Sequence, residues 1–416
     1  MAIRGCAQFR GFLFALLAVS AHGQQPLGKV DASLLLAKQN YLVGEPIELE
    51  FVAKNSQQVN VDFSSSDPYG QCGEYRISVD SDSESSQAGE PQSEPSCAQF
   101  FQLEEFHCLF GSQRIPARGM LRERILLNRF HDFTRPGIYQ VEATRHLANA
   151  ANFGIVNQPT QQVRGDFTIT IEQPKSEEEL RTAFSPFLSD LSAGDSERKQ
   201  EAAVAISSLP APFLESYLLQ MTGSWQLRRY AIEGLHKLNT TESRKKFFEL
   251  VKEGSPLSPD QELAVQSLAD MGDAQYGPML LDLWRRNTKP ADKGLLFVAA
   301  ARLTRSDALP VIRPLLQSPD SEERSYAVKA LAATELPAAL PILVKMLNDA
   351  SLQVRSDAAG ALVSLTRESP SHDGSVWSGD PAEAFPFWSA WLRENPSLPI
   401  RLLRECPQER VTRSAR

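Results

Sequence analysis

The sequence predicts a multidomain chain, an all-β half followed by an all-α half, and three observations carry that reading. One stretch of the C-terminal half is written twice. Ala308-Leu309-Pro310 returns as Ala339-Leu340-Pro341, and Arg324…Ala327…Leu331 returns as Arg355…Ala358…Leu362, each 31 residues on. Self-similarity at a period of about 20–50 residues is the mark of a stacked-repeat architecture. Between Asp31 and Gln173, seven short runs have strand character with turn residues between them. A proline-bearing junction around Pro174 separates the two regimes.

Residues 1–23 read as a secretory signal peptide. Arg4 and Arg10 form the positive flank, Gly11–Val19 the apolar core, and Ser20, Ala21 and Gly23 the small-residue end. The core is too short to span a bilayer, and no other run is read as a transmembrane segment. Cys6 precedes the core and leaves with it. The expected location is secreted or periplasmic. The whole chain carries 43 Lys and Arg against 51 Asp and Glu. Loss of Arg4 and Arg10, with no acid lost, takes the net charge from −8 to −10. Such a surface repels phosphate backbones and argues against a nucleic-acid partner.

Residues 28–173 are expected to form a β-sandwich. Ala32–Ala37 and Pro46–Ala53 read as strands, the second strictly alternating, with turn chemistry between them at Tyr41–Pro46. Further runs are 58–63, 74–80, 120–127, 137–146 and 163–172. Arg135-Pro-Gly-Ile-Tyr139-Gln-Val141 resembles the tyrosine corner of immunoglobulin-like sandwiches, whose hydroxyl bonds back to the chain upstream. Val141 stands where antibody domains place a cysteine, so the inter-sheet disulfide is absent. That resemblance is architectural and implies no activity. The acidic, serine-rich run Ser81–Ser96 cannot bury enough surface to order itself and reads as a solvated loop.

Four cysteines remain after processing: Cys72, Cys97, Cys108 and Cys406. They allow three pairings. Cys97–Cys108 is the favoured disulfide because both flank one short segment, leaving Cys72 and Cys406 free or joined across domains.

Ser176 with Glu179 is a capping box opening the α-helical half, residues 176–395. A basic or amide residue opens each inner helix: Lys199, Arg228, Gln261, Lys293, Arg324 and Arg355, at spacings of 29, 33, 32, 31 and 31. Offsets 3, 7 and 10 from these anchors are apolar in nearly every unit and lie on one face of a 3.6-residue helix. Offset six is always small: Ala205, Gly234, Ser267, Ala299, Ala330 and Ala361. It is therefore expected where helices cross. Partner helices are expected to begin near Pro186, Pro212, Pro278, Pro310 and Pro341. About six helix pairs stack into one core, because no pair can bury both faces alone.

Asp320…Arg324…Ala327…Leu331 and Asp349…Val354-Arg355…Ala358-Ala359…Ala361-Leu362 resemble HEAT repeats, particularly the short bacterial kind recognised in phycobilisome lyases. The resemblance covers roughly 176–395 and departs from the pattern at Gln261 and Lys293, where the anchor is not arginine. Arg324 and Arg355 are expected to bond neighbouring carboxylates and carbonyls within the stack, the alternative being a direct role in binding a partner. The resemblance also raises a lyase-like enzyme reading, attachment or removal of a chromophore.

Asp380, Pro381 and Glu383 signal a last helix carrying Phe385, Phe387, Trp388 and Trp391, expected to cap the stack. The arginine-rich tail spans 396–416. Asn239-Thr240-Thr241 fits a glycosylation acceptor. No recurring catalytic motif is present, and neither cofactor nor metal is implied. The nearest approach to a metal cluster is His107-Cys108 with His131-Asp132, which matches no zinc spacing.

The expected function is an exported, non-catalytic binding protein that receives a protein partner on the concave face of the solenoid. Tyr230, Glu233, Tyr326, Lys329 and Asp357, taken as non-core positions of inner helices, are the candidate contacts. The alternatives are an envelope or cell-surface adhesion module binding through the sandwich, and the lyase-like enzyme.

Overall fold

The computed structural model describes residues 30–65, 75–81, 111–147, 161–209, 211–252, 256–366, 368, 370 and 380–395. The export segment, every cysteine, the acidic run beyond Ser81, His107 and the basic tail lie outside them. Among the described residues no helix is long and apolar enough to cross a membrane.

Among the described residues, nine strands form the N-terminal half: β1 (Asp31–Leu36), β2 (Asn40–Leu42), β3 (Glu48–Lys54), β4 (Val61–Ser65), β5 (Tyr75–Ser81), β6 (Gly111–Ile115), β7 (Met120–Leu126), β8 (Gly137–Leu147) and β9 (Gln161–Glu172). They make sheets of order β1-β3-β7, β2-β9-β8-β5 and β4-β6. Alternation in β3 turns Leu49, Phe51 and Ala53 inward, all fully buried. They share one core with Tyr139, Val141, Ile169 and Ile171 of the four-stranded sheet. Two strands escape the sequence pattern. Asn40–Leu42, whose last two residues are expected as turn, pairs parallel with Thr170–Glu172 at the sheet edge. β6 is a mostly polar run that pairs with β4.

No disulfide links the facing sheets at Val141, which is buried as an apolar residue. A polar group does the linking instead. Arg145 of β8 is fully buried and bonds Glu123 of β7 in the opposite sheet. Tyr75 donates to the same carboxylate at 2.7 Å. The guanidinium also lies 4.4 Å from the ring centre of Phe51. A buried charge is tolerated only when paired and bonded in this way. Tyr139 donates its hydroxyl to the Arg135 carbonyl at 2.8 Å, as its place in the turn predicts.

The C-terminal half consists of α1 (Glu177–Ala193), α2 (Ser196–Ser208), α3 (Glu215–Met221), α4 (Arg228–Leu238), α5 (Thr241–Val251), α6 (Pro259–Met271), α7 (Tyr276–Arg286), α8 (Pro290–Thr304), α9 (Leu309–Leu315), α10 (Ser321–Ala333), α11 (Leu340–Met346), α12 (Leu352–Thr366) and α13 (Phe385–Glu394). The even-numbered helices α2 to α12 are the inner layer, each packing on the next. Every offset-three and offset-seven residue is buried, and these side chains form one continuous core from Phe184 to Trp388.

Offset six is the crossing point. A Cβ on Gly234 would stand 2.6 Å from the Leu218 side chain and 3.0 Å from the Ser207 backbone, so only hydrogen fits there. Ser176 caps α1 by accepting from Glu179 N at 3.2 Å. Glu179 reaches back to Lys175 N, one residue earlier than a capping box requires. Pro186 is a correction: it lies inside α1 rather than at a helix start. Its side is exposed, so the Thr182 carbonyl left without an N–H partner faces water. In α13, Trp388 is fully buried against the preceding repeat, while Trp391 is half-buried.

Candidate functional site

Offsets two, five and nine of the inner helices point away from the buried stripe. On α4 they are Tyr230, Glu233 and Lys237, and on α6 Leu263, Gln266 and Asp270. Steps of three and four keep each set on one helix face. At the N-terminal end of the stack the β domain stands over this face. Val43 and Gly44, from the β2–β3 turn, and Arg129, Asp132, Phe133 and Thr134, from the segment after β7, form the opposite wall. Leu180 of α1 and Leu209 and Ala211 after α2 close one end. The open cleft between these walls has a volume of about 860 Å³.

The same sequence features that build the elements place these groups. Asn128 is buried, takes the Ile47 N–H at 2.7 Å and donates to the Glu45 carbonyl at 3.1 Å, which fixes the segment after β7 against the β2–β3 turn. The domains are also joined by an ion pair. Arg124 of β7 lies 3.4 Å from Glu201 of α2. Burial pushes the Glu201 and Glu48 carboxyls above their ordinary values, Arg124 pulls both down, and Asp190 pushes both up again. Arg124 thus acts on two carboxylates at the joint, and Arg198 also lowers that of Glu201.

Burial also shifts titration inside the cleft. It holds the His236 imidazole below its ordinary value, assisted by the charges of Lys237 and Arg302 and opposed by Asp270 and the Ser267 backbone. Lys237 is exposed along its length, yet the cleft walls desolvate its ammonium and lower its pKa, and Arg129 adds to this while Glu233 and Asp132 oppose it. The ammonium donates to the Ser208 carbonyl at 3.0 Å.

Serine, histidine and aspartate all line this cleft as Ser267, His236 and Asp270. Their bonds do not form a nucleophilic relay. Asp270 is held by Arg302. Nδ1 of His236 is buried without a hydrogen-bond partner among the described residues. Ser267 occupies the crowded offset-six position. A base oriented by a carboxylate and bonded to a hydroxyl is what such chemistry needs. Among the described residues no group of three His, Cys, Asp or Glu could hold a metal ion. His131 packs its ring 4.8 Å from Phe133 and 5.8 Å from Tyr139.

The five expected contact residues are dispersed. Glu233 lines the cleft and pairs with Arg229 at 3.4 Å. Tyr230 receives a bond from Gln200 at 2.9 Å. Tyr326 is a correction: it is 6 % exposed and belongs to the core, packed edge-on to Phe297. Burial raises its pKa to about 12. Asp357 binds Ser325 and stands 3.4 Å from Lys329, so these two candidates tie α12 to α10. His236, Lys237, Gln266 and Arg129 also line the cleft, as does Asp132, which the sequence marks only beside His131 as a weak metal pattern. Offsets five and nine of the repeat mark Gln266 and Lys237, but no sequence signal marks the contribution of the β domain.

Residues 290–363, covering α8 to most of α12, match the family described as HEAT repeats. The C-terminal half is thus a helical solenoid behind a β domain, similar to HEAT repeats over residues 290–363. Among solved structures, the complex of CpcE and CpcF of phycocyanin lyase from Nostoc sp. PCC7120 is similar at 19 % identity and a TM-score of 0.34, over 53 % of this chain and 96 % of that one. An engineered protein is similar at 19 % identity and a TM-score of 0.25, over 43 % of this chain and 94 % of that one. No curated protein matches the sequence.

Proposed function

We propose that the chain is an exported, non-catalytic protein-binding scaffold that receives its partner on the concave face formed by the inner helices. One observation carries this reading. The inner face is walled at one end by a second domain, which leaves a cleft lined by side chains of both charge signs. Stacked repeats present extended surfaces whose outward positions vary without disturbing the core. The β domain, read as immunoglobulin-like on the Tyr139 corner, serves here as the wall of that cleft. Export to the periplasm or beyond rests on the basic flank and apolar core of residues 1–23.

The test is site-directed photo-crosslinking in the native host. A photoreactive residue at Gln266 is expected to capture a discrete protein adduct, and one at Glu249 on the outer helix α5 is expected to capture none. An adduct at Glu249 alone, or at neither site, overturns the reading. Export is tested by N-terminal sequencing of the native protein, with the mature chain expected to begin at His22 or Gln24. Retention of Met1 rules export out.

A further inference from the structure

Two cations line the cleft from different domains, Arg129 from the turn after β7 and Lys237 from α4. Burial lowers the Lys237 pKa, and Arg129 across the cleft adds to that while Glu233 and Asp132 oppose it. A guanidinium and an ammonium are both donors to a ligand carboxylate. The lining is apolar at Phe133, Leu209 and Leu263 and acidic at Asp132 and Glu233. Gln266, exposed at offset five of α6, has no side-chain hydrogen bond among the described residues. Its carboxamide offers donors and an acceptor together, the same complement that a peptide main chain presents.

The charge balance narrows the class of ligand. Arg129 and Lys237, with Arg302 beside Asp270, stand against Asp132, Glu233 and Asp270. A polyanion would meet as many carboxylates as cations, whereas a polypeptide carries both signs. A volume of about 860 Å³ is that of a ligand cleft. The face also continues beyond it through Val298, Lys329 and Gly360 at the same repeat offset. A side chain at Gly360 would meet nothing within 4 Å, so that path is open to an extended chain.

We propose that the cleft binds an extended peptide in which an acidic side chain neighbours an apolar one, the carboxylate lodging with Arg129 and Lys237 and the main chain with Gln266. This rests on the reading of the inner face as a protein-binding surface. It adds that the site is shared, half of it supplied by the β domain.

The experiment pans the full-length protein against a displayed library of random linear peptides. Enriched peptides are then synthesised with a fluorophore and titrated by fluorescence anisotropy. Enriched sequences are expected to place Asp or Glu beside an apolar residue. K237M is expected to weaken binding by about ten-fold or more. Q266A, which alters only an exposed side chain and leaves folding intact, is expected to weaken it too, while E249Q on the outer helix binds as wild type. Failure to enrich any linear peptide over the bare support overturns the proposal. Equal affinity for wild type, K237M and Q266A also overturns it, and K329E then separates the two readings. Peptides weakened by K329E leave the inner face as the binding surface with the site further along it, and peptides blind to K329E sink both. Competition by free succinate at the peptides' own concentrations would make this a small-anion site and overturn the peptide assignment.

Discussion

Arg324 holds Asp349 through two parallel contacts of 2.8 Å, Nε to Oδ2 and Nη2 to Oδ1, and so ties one inner helix to the loop that opens the next. Its remaining nitrogen donates to the carbonyls of Ser318 at 2.8 Å and Pro319 at 3.2 Å. One repeat on, Arg355 binds Asp380 with both contacts at 2.9 Å and donates to the carbonyl of Asp349 at 2.9 Å. Earlier in the stack the device weakens. Arg228 stands 4.0 Å from Asp260, and Gln261 bonds the Leu250 carbonyl at 2.7 Å instead.

The two clamps share a geometry and differ in exposure, which predicts unequal worth. The Asp349 side chain is 9 % exposed and that of Asp380 is 43 %. R324M strands a nearly buried carboxylate and should destabilise the protein by about 2–3 kcal/mol. R355M leaves its partner in water and should cost below about 1 kcal/mol. Urea denaturation of the two variants measures the difference, and equal losses would contradict it.

Leu331 and Leu362 are fully buried at offset seven of adjacent repeats. Each Leu→Ala change should cost about 2–5 kcal/mol from lost burial plus the cavity left behind. Adding a methyl at the crossing point should also be felt: G234A is expected to lose about 1–3 kcal/mol, because Leu218 and the Ser207 backbone must give way. Unchanged thermal midpoints in these variants would refute the assigned register.

Glu48 and Glu201 predict a pH dependence at the joint between domains. Their folded pKa values lie above the ordinary 4.5, so the folded state takes up protons that the unfolded state does not. Their contribution to stability is therefore full below the unfolded value and is lost as pH rises through the folded one. Asp349 and Asp380 act in the opposite sense, their pKa values being lowered by Arg324 and Arg355, and their contribution is lost in acid. Subtracting the E201Q pH profile from that of wild type isolates the Glu201 contribution. The difference should show wild type losing stability as pH climbs from about 5 towards neutrality, and a flat difference would sink the assignment.

Lys329 and Glu233 share an offset but have different neighbours. K329E places an acid against Asp357 at what is now a 3.4 Å ion pair, and should lower stability by up to about 1 kcal/mol. E233K at the cleft wall opposes Arg229 and should have a similarly small effect on folding. Circular dichroism melts of both variants check this before any binding comparison, and loss of the folded state in either would show that the face is structural.

The sequence alone determined the solenoid, because a helix writes its buried face as a local period. Anchors, stripe and small crossing residues recur every 29 to 33 positions, and each falls where the period puts it. The Tyr139 corner was legible for the same reason, its hydroxyl needing a partner only four residues away. Tyr326 misled because its offset is polar or half-exposed in other units, while here Phe297 of the preceding inner helix gives its ring a place to pack. What only the tertiary structure decided lies between distant segments. A charged pair in alternating strands reads as two solvated residues until two sheets close over Arg145 and Glu123. The cleft is of the same kind. Asp132 and Gln266 lie more than a hundred residues apart, and what faces them across the cleft depends on how one domain seats on another, which no local periodicity records.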